Sequence, residues 1–129
     1  MKQSRDDLVK YRLARAYESI DEAKLLANSG HWNTVANRLY YAAFYADPAL
    51  MVKNEILVTT HSGVKSNFHM YFIKNSLIDK SIGQLYNNLF NKRQEGDYQD
   101  FQFFDKETIH PLIEKTFSLV ETIDRLFLS

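Results

Sequence analysis

The chain has 129 residues, no cysteine, and 16 lysine and arginine residues balanced by 16 aspartate and glutamate residues. Its length predicts one domain, residues 1–129, and its zero net charge argues against a protein that coats nucleic acid or anionic membrane by bulk electrostatics. The lack of cysteine excludes disulfides and thiolate zinc sites, and the longest apolar run, LYYAAFYA, is too short to span a bilayer, so we expect a soluble, cytoplasmic protein.

The first half of the chain has apolar residues at helical spacing. A first helix is predicted over roughly residues 5–29, because apolar positions recur every three or four residues and Gly30 suits its end. A second helix is predicted from Asn33, with Leu39 and Leu50 on one apolar stripe.

Pro48 predicts an irregularity in the second helix. It has no amide to bond the carbonyl of Phe44, and it disfavours helical geometry at Asp47. We therefore expect the helix to bend here, or to break, with Asp47 capping a new short helix.

The second half predicts three more helices. After the connection KNEILVTTHSG, a third helix extends from Val64 to about Phe72, and a fourth ends near Gly96. In the last helix Asp105 is the predicted N-cap, and Pro111 should kink the first turns or mark the true start. EILVTT is β-branched but has no partner strand. The fold class is therefore all-α, an up-and-down antiparallel bundle of four to five helices.

The second helix has one unusual face. Asn37, Arg38, Tyr41 and Tyr45 fall within one arc of the helix, beside an arc of alanine, valine and leucine. An arginine among tyrosines offers a fork for phosphate or carboxylate and rings for stacking. The alternative is an arginine paired with a carboxylate elsewhere in the bundle, with half-buried tyrosines around it.

Several stretches together carry a family resemblance. NRLYYAAFYA, THSGVKSNF, LYNNLFNKRQEGDYQDF and HPLIEK occur in this order between residues 9 and 125, and in this combination the chain resembles HEPN-domain proteins. The resemblance implies a bundle of four or five helices, often a homodimer and often the partner of a minimal nucleotidyltransferase. Many members are metal-independent ribonucleases, and some are toxins.

The family's catalytic signature is an arginine followed, after four to six residues, by a histidine on the same helix. Arg38 fits the arginine and Asn37 its polar neighbour, but Ala43, Phe44 and Tyr45 stand where the histidine should be. An imidazole can exchange a proton with a ribose 2′-hydroxyl near neutral pH, whereas phenols, with pKa values near 10, are poor bases there. Tyr45 can still donate a hydrogen bond to a phosphate, so we expect binding to survive better than cleavage.

Two other segments supply candidate residues. His61 precedes the third helix, where it can cap the helix or face a ligand. Arg93, Asp97 and Tyr98 surround the end of the fourth helix, where Arg93 either pairs with an acidic residue or lies near Arg38 to bind a phosphodiester. The four histidines form no zinc motif and the aspartates no calcium loop, so no metal or other cofactor is expected.

Three functions remain open from the sequence. The first is a non-catalytic HEPN module that partners a nucleotidyltransferase and binds nucleotide or RNA. The second is an active metal-independent ribonuclease, of toxin type, and the third is a structural dimerisation domain. The predicted ligand contacts are Asn37, Arg38, Tyr41, Tyr45, Arg93, Asp97 and Tyr98. Any catalysis would involve Arg38, Tyr45 and His61.

Overall fold

The computed structural model describes the backbone of residues 2–98 and 103–127, and the side chains of residues 3–97 and 103–127. Five α-helices follow in order, with a short π-helical turn after the third. They are α1 (Lys2–Asn28), α2 (Trp32–Lys53), α3 (His61–Phe68) with the π-turn His69–Ile73, α4 (Lys80–Tyr98) and α5 (Lys106–Leu126). The described residues contain no strand, which confirms the all-α bundle. None of the helices described is long and apolar enough to cross a membrane.

Helix α2 is central to the bundle. It packs against α1, α3, α4 and α5, and its small residues Ala42, Ala43 and Ala46 are fully buried. Alanines let neighbouring backbones approach closely, so the bundle can pack densely around this helix. The fully buried Leu39 and Tyr40 add larger side chains to the same core.

The predicted break at Pro48 is wrong, because α2 continues without interruption from Trp32 to Lys53. Asp47 is not a cap, because it lies in the interior of α2 and its side chain is fully buried in the bundle. Ala46 and Leu50 on either side are buried as well. Proline inside a helix costs about 3 kcal/mol, and each large apolar side chain buried here, such as Leu50 and Met51, contributes about 1.5–3 kcal/mol, so burial of this segment outweighs the local preference of proline.

The ends of the other helices show where local sequence rules hold. Gly30 follows α1 with a φ of 73°, a conformation that glycine adopts without strain. Asp105 is the N-cap of α5, as predicted, and its carboxylate accepts a hydrogen bond from the Thr108 amide at 2.9 Å. The alternative start at Pro111 is wrong, since this cap fixes the start at Lys106.

The third predicted helix is shorter than expected. Its α-helical part ends at Phe68, and the chain then widens into a π-turn, in which the Lys74 amide donates to the His69 carbonyl at 2.8 Å. Apolar spacing does not distinguish this turn from an α-helix, because Phe68 and Phe72 are buried in both geometries.

Candidate functional site

Arg38 of α2 and Arg93 of α4 meet at one aromatic ring. The guanidinium carbons lie 5.5 Å and 5.4 Å from the centre of the Tyr41 ring. Nη2 of Arg93 also donates a hydrogen bond to the Tyr41 hydroxyl at 3.1 Å. The packing of α4 on α2 therefore brings together two cations that are 55 positions apart in sequence.

Asn37 and Asp97 connect the two arginines. The side-chain oxygen of Asn37 accepts from Nη2 of Arg38 at 2.6 Å, and its amide nitrogen donates to Oδ2 of Asp97 at 3.1 Å. The same carboxylate oxygen lies 3.2 Å from Nε of Arg93. We call Asn37, Arg38, Tyr41, Arg93 and Asp97 the two-arginine cluster. The sequence left two alternatives for Arg93, an ion pair with an acidic residue or a position near Arg38. The structure has both, since Arg93 pairs with Asp97 and shares the Tyr41 ring with Arg38.

The cluster remains accessible to an anion. The Arg38 side chain is 33% exposed, and its closest carboxylate, Glu22, lies 3.8 Å away and is 40% exposed. Exposed ion pairs of this kind contribute at most about 1 kcal/mol, so a phosphate could replace Glu22 as the partner of Arg38.

Tyr45 lies one helical turn beyond Tyr41 and has a different cation beside it. The Arg15 guanidinium carbon is 5.2 Å from the centre of the Tyr45 ring, whereas the Tyr41 and Tyr45 rings are 6.5 Å apart. Tyr45 and His61 both line a cleft of about 450 Å³ between α1, α2 and the start of α3. The predicted set is therefore divided between the two-arginine cluster and this cleft.

His61 is held by two residues of α2. Its Nδ1 lies 2.7 Å from the Tyr40 hydroxyl, and its ring stacks on Phe44 with 3.9 Å between the ring centres. Burial, and then the positive charge of Arg93, lower the pKa of His61 below its usual 6.5. The imidazole is therefore neutral at pH 7.

Three buried polar side chains, those of Tyr40, Tyr86 and Asp47, lie in the core near His61. Sequence reasoning missed this set. Burial raises the pKa of Tyr40 to about 12. Burial and the nearby charge of Asp47 raise the pKa of Tyr86, whose hydroxyl is fully buried. The only sequence sign of this group was an aspartate inside an apolar helix, which was interpreted as a cap.

Two further predictions concern Tyr98 and metal binding. Tyr98 ends α4, and its side chain lies outside the described residues. Within the described part of the chain, no three histidine or acidic side chains are grouped to hold a metal ion.

Comparison with known proteins gives consistent matches. The sequence-family model of the HEPN domain matches residues 9–126 of this chain. A "UPF0332 protein" of Thermotoga maritima is 33% identical over 122 residues, which cover 95% of this chain and 92% of that protein. "Putative toxin MJ0142" of Methanocaldococcus jannaschii is 32% identical over 103 residues, 80% of this chain and 70% of its own length. "Putative toxin MJ0605" of the same organism is 29% identical over 83 residues, 64% of this chain and 62% of its own length.

Proposed function

The chain belongs to the HEPN-domain family, and from that premise we propose that it binds RNA or nucleotide phosphate through the two-arginine cluster without cleaving RNA efficiently. The observation that carries this proposal is the convergence of Arg38 and Arg93 on Tyr41. Two guanidinium groups and the carboxylate of Asp97 leave a net charge of about +1, which matches a phosphodiester, and the guanidinium groups provide several N–H donors for its oxygens.

We expect weak catalysis because the three residues of α2 at the position of the family's histidine, Ala43, Phe44 and Tyr45, are not histidines. Ala43 is buried, Phe44 stacks on His61, and Tyr45 packs beside Arg15. None of these side chains offers an imidazole next to the two-arginine cluster. Bound RNA would therefore have its phosphate charge neutralised, but its 2′-hydroxyl would lack the base expected on this helix.

A second candidate function is metal-independent RNA cleavage with His61 as the base. The neutral imidazole favours it, together with the 6.5 Å between the His61 and Tyr41 ring centres. In the tautomer in which Nδ1–H donates to the Tyr40 hydroxyl, Nε2 is unprotonated and is the atom that would take a proton from the 2′-hydroxyl. Arg93 would then stabilise charge on the phosphate.

One experiment separates these functions. Purified protein is titrated with a fluorescent single-stranded RNA and, in parallel, incubated with it in EDTA. We expect binding that Arg38→Ala and Arg93→Ala each weaken by roughly tenfold, with no efficient cleavage. Lys80→Ala, an exposed change at the start of α4, is the matched control.

The remaining outcomes have distinct meanings. Cleavage lost in both Arg38→Ala and His61→Ala would contradict the binding function and support the nuclease. A gain of cleavage in Tyr45→His would show that the missing imidazole is what limits catalysis. No RNA or nucleotide binding by the wild-type chain would leave a structural dimerisation domain.

We also propose a homodimer that acts in the cytoplasm with a minimal nucleotidyltransferase. The support for this is family membership. Co-expression with a nucleotidyltransferase encoded by a neighbouring gene, followed by size-exclusion chromatography with light scattering, should give a stable complex. A homodimer that never co-elutes with that enzyme would contradict the partnership.

A further inference from the structure

We propose that Tyr40 is a positioning residue for His61: its hydroxyl oxygen accepts the Nδ1–H of the imidazole, which keeps Nε2 unprotonated. The two residues join the cleft to the core, because His61 lines the cleft and Tyr40 is fully buried. The hydroxyl oxygen lies 2.7 Å from Nδ1. Either group can donate in such a hydrogen bond, so its direction depends on the groups around Tyr40.

The His61 ring is held in one orientation by two aromatic side chains of α2. It stacks on Phe44 with 3.9 Å between ring centres and 3° between ring planes, and it lies 5.8 Å from the Tyr40 ring centre at 21°. Turning the imidazole over would break the hydrogen bond of Nδ1. Nε2 has no hydrogen-bond partner among the described residues, so it is the ring nitrogen left for a ligand.

Groups of opposite charge lie on the two sides of the Tyr40 hydroxyl. The guanidinium carbon of Arg93 is 5.5 Å from the Tyr40 ring centre. After burial, its charge is what lowers the pKa of His61, and it partly offsets the burial that raises the pKa of Tyr40. On the other side the Tyr86 ring centre is 6.2 Å from that of Tyr40. Burial, and then the charge of Asp47, raise the pKa of Tyr86. A cation therefore lies at the His61 end and a carboxyl group at the Tyr86 end.

This arrangement of charge sets the direction of the hydrogen bond. Hydroxyl dipoles orient in the field of the protein, and the field is strong in a core of low dielectric constant. The Tyr40 proton therefore points towards Tyr86 and Asp47, and the Tyr40 oxygen points towards His61. Asp47 keeps an acceptor oxygen whether or not it is protonated, so the direction is the same in both states. The Tyr40 oxygen can then only accept from Nδ1–H.

The consequence concerns what His61 can do for a ligand. An unprotonated Nε2 accepts a hydrogen bond or a proton, which is the property that the second candidate function needs. The His61 and Tyr41 ring centres are 6.5 Å apart, so this acceptor is next to the two-arginine cluster. The tautomer is a property of the free protein, so it is measured without RNA and does not depend on either proposed function.

NMR of protein labelled with 15N-histidine tests the tautomer. Two-bond 1H–15N correlation spectra at pH 8, where the imidazole is neutral, show which ring nitrogen carries the proton. We expect Nδ1–H for His61, whose signals are assigned with His61→Gln. His69 is an internal reference: its Nε2 lies 2.8 Å from Oδ1 of Asn87, an oxygen that can only accept, so it should show the opposite tautomer.

Substitutions separate positioning from folding. Tyr40→Phe removes only the hydroxyl and should replace the single His61 tautomer with a mixture of both. Asp47→Ala should also reduce the preference, because the field at Tyr40 is weakened. Tyr17→Phe, which removes a hydroxyl that bonds Asp124 at 2.8 Å, is the matched control and should leave His61 unchanged. Unchanged His69 signals in each variant show that the bundle is intact.

The proposal is overturned if His61 carries its proton on Nε2 in the wild type, or if Tyr40→Phe leaves the tautomer unchanged. A wild-type tautomer in Asp47→Ala would overturn the role of the buried carboxyl group. Failure of the wild type to bind RNA would contradict the proposed function and leave these spectra as they are. The two proposals can therefore fail separately.

Discussion

Asp47 is a carboxyl group in the interior of the bundle. It is fully buried, and neither of its oxygens has a hydrogen-bond partner among the described residues. Burial raises the pKa of Asp47 well above its ordinary value near 3.8. The folded state therefore keeps this proton to a higher pH than the unfolded state does. The resulting stabilisation is complete below the unfolded pKa and is lost as the pH rises through the folded pKa.

This linkage gives a prediction for Asp47→Asn. The amide is isosteric and stays neutral, so the variant should lose the part of the pH dependence that comes from Asp47. At pH 8 it should be more stable than the wild type by about 1–2 kcal/mol, because the folded wild type must there either hold a proton that the unfolded chain has released or bury a charge. Urea unfolding at pH 5 and pH 8 measures the difference. Asp21→Asn on the exposed face of α1 is the control, and a less stable Asp47→Asn at pH 8 would contradict the prediction.

At the scale of elements, the contact between α4 and the π-turn depends on Gly83. A Cβ atom built at this position would lie 2.9 Å from Cε1 of His69 and 3.1 Å from Cγ1 of Ile73. The His69 ring is also held in place, since its Nε2 lies 2.8 Å from Oδ1 of Asn87. Glycine inside a helix costs about 1 kcal/mol in propensity, so its presence here is explained by this close approach.

Gly83→Ala should therefore destabilise the protein even though alanine favours helix. Overpacking costs about 1–3 kcal/mol, more than the gain in propensity of up to about 1 kcal/mol. We expect a net loss of roughly 1 kcal/mol in urea unfolding. Asn88→Ala, an exposed change in the same helix, should be neutral or slightly stabilising. Equal stabilisation by both substitutions would show that the π-turn moves away at no cost.

These elements also show what the sequence could and could not predict. Helical periodicity and the Asp105 cap correctly predicted the all-α bundle, because both depend on neighbours within one or two turns. The break at Pro48 was predicted wrongly, because burial of its surroundings depends on tertiary contacts. The π-turn was missed for a similar reason: the spacing of Phe68 and Phe72 fits either kind of helix.

Within single helices the candidate site was predictable, both along α2 and for the i,i+4 pair of Arg93 and Asp97 on α4. Asn37, Arg38 and Tyr41 share one face of a single helix, and the helical repeat alone is enough to group them. The contact of Arg93 with Tyr41, and the division between the cluster and the cleft that contains Tyr45, depend on how α1 and α4 pack on α2. Sequence periodicity carries no information on that packing.

For the whole molecule, balanced charge limits how RNA can be bound. With 16 basic and 16 acidic residues, the protein has no net attraction for a polyanion, so affinity must come from local cations. Two arginines at one ring would neutralise about two phosphates. For single-stranded RNA, each neutralised phosphate contributes about −0.7 to the slope of log K against log salt concentration.

We therefore expect a shallow slope of about −1.4 for single-stranded RNA binding, measured by fluorescence anisotropy at several salt concentrations. Arg93→Gln should bring it to about −0.7, because one phosphate contact is lost, while Lys80→Gln should leave it unchanged. A wild-type slope of about −4 or steeper would mean that six or more phosphates are neutralised. RNA would then lie along an extended basic surface, and the two-arginine cluster would be only a small part of the interface.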